Sequence, residues 1–127
     1  MKKIFFVVLP IFAIIILTII VNIITQKGMI TIHNNSNIDI TNMELNYSDK
    51  DFTKLPTIKS KDTYNTNIVF PENFSEGLIK ISYINKSNEI EEVYLESYIE
   101  HNYKRHIFVT INSIDSNGIL DIEYSIK

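Results

Sequence analysis

Apolar residues fall along this chain in two different patterns. From Ile4 to Ile24 the run is apolar and carries no charge, with Thr18 and Asn22 as its interior polar residues. From Gly28 onward apolar and polar residues alternate in short stretches broken by Asn, Ser, Asp and Gly. The first pattern predicts one helix and the second a series of half-buried strands.

A helix over 4–24 would rise about 31 Å, the thickness of a bilayer's hydrocarbon core. Thr18 can bond its own backbone, Asn22 falls near the end of the run, and Pro10 bends such a helix without forbidding it. Lys2 and Lys3 precede the run and only Lys27 follows it closely. That asymmetry predicts a cytoplasmic N-terminus and an extracytoplasmic remainder, with the chain held in the cell membrane as a single-pass signal anchor. The competing reading is a cleaved secretory signal. It fits less well, because the run is longer than a signal's apolar core and ends in Ile23, Ile24, Thr25 and Gln26 rather than in small residues. The expected organisation is therefore 1–3 cytoplasmic, 4–24 transmembrane, 25–28 a short linker and 29–127 an extracytoplasmic β domain.

Within that domain, Met29, Thr31 and His33 alternate with Ile30 and Ile32 as in a strand with one buried face. Over 38–47, Ile38 and Ile40 occupy one phase while Met43, Leu45 and Tyr47 occupy the other, which a bulge near Thr41 and Asn42 would reconcile. The run 55–58 is a short strand confined to an edge by Pro56. Tyr64, Thr66, Ile68 and Phe70 share a phase. A loop over 72–77 follows, in which Gly77 is free to take a positive φ and Phe74 plugs one end of the core.

Two hairpins complete the pattern. The first joins 78–84 to 90–99 through Asn85, Lys86, Ser87 and Asn88, with Ile79, Ile81, Tyr83, Val93, Leu95 and Ile99 facing inward. The second joins 103–111 to 119–126 through Asp115, Ser116, Asn117 and Gly118. There Ile107, Val109 and Ile111 face Leu120, Ile122, Tyr124 and Ile126.

The spacing predicts an all-β fold in which the N-terminal transmembrane helix precedes an antiparallel β-sandwich of about 7–8 strands, immunoglobulin-like or transthyretin-like in architecture. Such sandwiches host unrelated functions, so the architecture predicts no activity.

Composition narrows the chemistry. From Gly28 onward nine basic residues stand against all 15 acidic ones, so nucleic acid is not an expected partner. The chain has no cysteine, which excludes disulfides and thiol chemistry. Its three glycines, Gly28, Gly77 and Gly118, cannot form a glycine-rich phosphate loop. No Gly-x-Ser-x-Gly elbow is present.

His101 and His106, near Glu96 and Glu100, are the one conceivable cation site, and Lys104 and Arg105 beside them oppose it. His33 stands apart. Carboxylates drawn from Glu89, Glu91, Glu92, Glu96 and Glu100 read as a solvated edge rather than a glycosidase pair. The Asn-x-Ser triplets at Asn34, Asn46, Asn73 and Asn85 follow from the abundance of asparagine. No catalytic residue, cofactor or metal ligand is therefore assigned.

One pattern points to recognition. Glu92, Tyr94, Glu96 and Tyr98 share a strand phase opposite Val93, Leu95 and Ile99, and rings interleaved with carboxylates suit a basic or amphipathic partner. The competing reading is a cross-strand ladder that merely covers a sheet. The expected function is a non-enzymatic binding or accessory domain acting on another envelope protein. Two alternatives are an immunity protein against a cationic toxin or peptide and a small metal-assisted hydrolase using His101 and His106.

Overall fold

The computed structural model describes residues 10–21 and 27–127, together with the backbone of a helix α1 over Lys2–Thr25. Thr18 Oγ1 donates to the carbonyls of Ile14 and Ile15 at 2.9 and 2.8 Å, so its hydroxyl is satisfied by the helix itself.

The single-pass anchor is corrected here: among the described residues no helix is long and apolar enough to cross a membrane. The side chains of Lys2, Lys3 and Asn22, on which orientation and end placement depended, lie outside the described residues, as do those of Thr25 and Gln26. The transmembrane assignment of 4–24 and the single-pass placement built on it, with 1–3 cytoplasmic and 29–127 extracytoplasmic, fall with the anchor.

The rest of the chain is two four-stranded sheets. In chain order the strands are β1 (Met29–Asn34), β2 (Glu44–Asn46), β3 (Phe52–Lys54), β4 (Thr63–Asn67), β5 (Glu76–Ile84), β6 (Ile90–Glu100), β7 (His106–Ile114) and β8 (Leu120–Ile126). Sheet 1 has the order β4-β1-β7-β8 and sheet 2 the order β3-β2-β5-β6. Every pairing is antiparallel except β1 with β7, which run parallel from Met29 against His106 to Asn34 against Ile111.

The two-residue period explains the core. Ile30 and Ile32 of β1, Leu45 of β2, Ile79 and Ile81 of β5, and Ile107, Val109 and Ile111 of β7 are buried to within 1% of complete exclusion and pack in one cluster. Successive strand residues point to opposite faces, so each sheet turns one apolar face inward and the other toward solvent. Tyr83 ties the sheets together by accepting a hydrogen bond on its hydroxyl from the Leu120 amide at 3.0 Å.

Both expected hairpins form, and their turns are set by side chains. Asn85 Oδ1 accepts the amides of Ser87 and Glu89 at 2.8 and 3.0 Å, and Asp115 Oδ1 accepts those of Asn117 and Ile119, both at 2.8 Å. The phase change over 38–47 occurs at Asn42, which takes a φ of 56°, so that Ile40 and Met43 are both buried.

Four details differ from the alternation. Ile38 is exposed, because only Ile40 of its phase pairs, in an isolated bridge with Ile58. The third strand is Phe52–Lys54 rather than 55–58, and Leu55 and Ile58 are buried in the irregular crossing that follows it. Tyr124 is exposed, lying on the edge strand β8 where the opposite sheet gives less cover. Finally, Gly118 has a positive φ, 82°, and Gly77 does not. Gly77 is needed for space: a Cβ there would collide with the Tyr47 carbonyl oxygen and the ring of Phe74.

Candidate functional site

The two outer faces differ in chemistry. On sheet 1 the rows read across four strands as Asn65, Thr31, Phe108, Ser125 and Thr63, His33, Thr110, Glu123. These side chains satisfy one another. Thr31 Oγ1 bonds Asn65 at 2.6 Å and His106 Nε2 at 2.7 Å, His33 Nδ1 bonds Thr63 at 2.8 Å, and the His106 ring stacks on Phe108 at 3.9 Å.

On sheet 2 the register aligns Phe52, Asn46, Lys80 and Tyr94 in one row, Lys54, Glu44, Ser82 and Glu92 in the next, and Ile84 with Ile90 in a third. Phe52, Ile84, Ile90, Tyr94 and Tyr98 are all exposed large apolar or aromatic residues of this sheet, and the outer rows of sheet 1 contain none. Exposed apolar and aromatic side chains grouped among charges mark a surface suited to contact with another macromolecule.

The charges on this face are held in place. Lys80 Nζ donates to Glu92 Oε1 at 2.6 Å and lies 5.5 Å from the Tyr94 ring centroid, while the Tyr94 hydroxyl donates to Glu92 Oε2 at 3.1 Å. The bond from Glu92 raises the Lys80 pKa, and the same bond lowers that of Glu92. The depressed Glu92 pKa contributes stability above the unfolded carboxyl's value that is lost as pH falls through the folded one. Because both charged ends meet solvent, the pair is worth less than about 1 kcal/mol. Its effect is to fix the ring of Tyr94 and the carboxylate of Glu92 in one arrangement.

Farther along β6, the Tyr98 hydroxyl donates to Glu100 at 3.1 Å and to Glu76 at 3.2 Å, and these bonds raise its pKa. Glu92, Tyr94 and Tyr98 thus all project from the outer side. Glu96 does not share their phase. It lies between two register shifts in the β5–β6 ladder, and its carboxylate accepts from Arg105 Nη1 at 3.2 Å. Beside it the Tyr103 hydroxyl is buried with no hydrogen-bond partner among the described residues, and burial followed by the Glu96 charge pushes its pKa up to about 12. The expected face of four therefore divides into an outer set of three and one residue facing Arg105.

Lys80 and Phe52 belong to the face and were not singled out from the sequence. Lys80 occupies the outward phase of 78–84 once Ile79, Ile81 and Tyr83 are placed inside, so that signal was available. Phe52 was hidden because it directly follows the charged turn over 49–51.

His101 and His106 are not brought together as a site. His106 faces Thr31 and Phe108 on the outer side of sheet 1, and His101 lies exposed in the turn after β6. Among the described residues no three His, Asp or Glu side chains are grouped as metal ligands. A cleft of about 460 Å³ beside the sheet 2 face is lined by Met43, Leu55, Tyr83 and Ile90 and contains a single carboxylate, Glu44. A second, of about 560 Å³, is lined by Phe70, Phe74, His101 and Tyr103 and contains only Glu72.

No family model matches this sequence, and no curated relative matches it. A protein from Eubacterium rectale solved by NMR is similar at 13% identity and a TM-score of 0.49, with 78% of this chain and 88% of that one covered. At that level the likeness carries no argument about function.

Proposed function

We propose that the β domain is a binding or accessory module that holds a protein partner on the outer face of sheet 2. The observation that carries this reading is the placement of exposed Phe52, Ile84, Ile90, Tyr94 and Tyr98 on one sheet, with a fixed Lys80–Glu92 pair among them, while on the opposite sheet Phe108 is only partly exposed, stacked with His106 among mutually bonded Thr, Asn and His side chains. Rigid aromatic rings lose little entropy on contact and serve as anchors, and the ion pair limits which partners fit. No specific observation favours the immunity or hydrolase readings over this one.

The test is site-specific photo-crosslinking in cells expressing the full chain, with the reactive side chain at position 94, at position 52 or, as control, at position 33. The expected result is one discrete protein adduct from 94 and 52 and none from 33. Equal labelling at all three positions, or none at 94 and 52, would sink the proposal.

A further inference from the structure

Sheet 2 ends in an edge that differs from the other three edges of the domain. β3 has three residues, β4 five and β8 seven, whereas β6 has 11. Native edges are usually protected by being short or by Lys, Pro or bulges. β6 contains no Lys, Arg or Pro. Its register shifts lie at the far end, around Glu96, and the ladder from Ile84 against Ile90 to Lys80 against Tyr94 is unbroken. Among the described residues β6 pairs only with β5, so the outward backbone N–H and C=O groups of the regular five-residue segment Ile90–Tyr94 have no protein partner.

We infer that the Ile90–Tyr94 edge receives an extended, positively charged segment of the partner protein as a fifth strand of sheet 2. This rests on the protein-binding reading above and narrows it to one partner chemistry.

Strand addition satisfies backbone groups at any sequence, so specificity must come from side chains on alternate positions. Here those side chains are acidic. Glu91 is half-buried on the inner phase and accepts from Asn85 Nδ2 at 2.8 Å, while Glu92 and Tyr94 stand on the outer phase. A second copy of this chain is a poor occupant: two β6 strands side by side would bring Glu91, Glu92, Glu96 and Glu100 from each copy together with no basic residue on either strand. A basic strand meets the opposite situation. A guanidinium or ammonium seated between Glu92 and Tyr94 would repeat the contact that Lys80 already makes with the same carboxylate and ring. Two residues along, Ile90, 70% exposed, offers an apolar contact. The favoured segment alternates on one face between a basic residue opposite Glu92 and an apolar residue opposite Ile90.

The test uses the full chain, isotopically labelled, with three synthetic ten-residue peptides: alternating Arg and Val, the same with Glu for Arg, and the Arg peptide interrupted by central prolines. The Arg–Val peptide is expected to bind in a salt-dependent manner and to slow exchange of alternate amides between Ile90 and Tyr94 by at least about tenfold. The Glu peptide and the proline peptide should leave those amides unchanged. Glu92→Lys, at an exposed position of the edge, should leave the amide spectrum of the core strands unchanged and weaken the Arg peptide by about tenfold or more. Binding of the proline peptide equal to that of its parent, binding without β6 protection, no binding at all, or dimerisation through β6 in sedimentation would each overturn the inference. If position 94 still crosslinks a protein in cells, the protein-binding reading stands although the strand-addition inference has failed. If neither 94 nor 52 crosslinks, both fall.

Discussion

Asn34 shows how much a single polar residue can hold. It is fully buried at the end of β1, and its Nδ2 donates to the carbonyls of Ile38, Ile58 and Lys59 at 2.8, 3.0 and 3.1 Å, while Oδ1 accepts the Ser36 amide and hydroxyl. Asn34→Ala leaves several buried groups unpaired, and should lower unfolding free energy by about 2–4 kcal/mol in urea titration. Tyr103 is the converse case, a buried hydroxyl that lies near Glu96 with no hydrogen-bond partner among the described residues. Its pKa lies above the unfolded value, so the stability of the fold is complete below about pH 10 and is lost as pH rises from there through about 12. Tyr103→Phe should leave stability unchanged or raise it by up to about 1 kcal/mol, and should remove one late step from the ultraviolet titration of the tyrosines. A fall of more than 2 kcal/mol, on the order of a lost hydrogen bond to a charged group, would mean that the hydroxyl has a partner.

At the scale of elements, turn and bulge residues decide which face each strand presents. Gly118 and Gly77 are both glycine for different reasons, and substitutions separate them. Gly118→Ala meets a positive φ and should cost about 1–2 kcal/mol, whereas Gly118→Asn, which tolerates that region, should recover most of it. Gly77→Ala meets the Tyr47 carbonyl instead, so Asn at 77 should be worse than Ala. Thermal denaturation of the four variants checks both orders. The bulges in β6 act at the same scale: they turn Glu96 toward Arg105 and leave Ile90–Tyr94 as the regular part of the edge.

For the whole molecule, the parallel pairing of β1 with β7 joins residues more than 70 positions apart, and the two sheets share one core. The residues that fill the core are not those that line the outer face of sheet 2, so the proposed contact surface can be altered without disturbing the core. The double substitution Phe52→Ser, Tyr94→Ser should shift the denaturation midpoint by the equivalent of about 1 kcal/mol or less, as expected of exposed positions. The same protein, carrying a photo-crosslinker at an unaltered neighbouring outer position such as 84, should lose the adduct seen in its parent. Retention of that adduct at full yield would show that the rings are not the anchors.

Alternation alone was enough to read eight strand-prone runs, the two hairpins, and the inward phase of Ile30, Ile32, Ile79, Ile81, Ile107, Val109 and Ile111, because a strand's two faces repeat every two residues whatever lies far away. It also marked Glu92, Tyr94 and Tyr98 as one face. It did not reveal that β1 lies beside β7, that β6 is an edge, that Asn34 is buried, or that Glu96 leaves its phase, since each depends on which distant segment is the neighbour. The apolar run at 4–24 showed the same limit from the other side. Its composition predicted a helix and one is present, but composition does not itself establish a membrane span, and among the described residues no helix is long and apolar enough to make one.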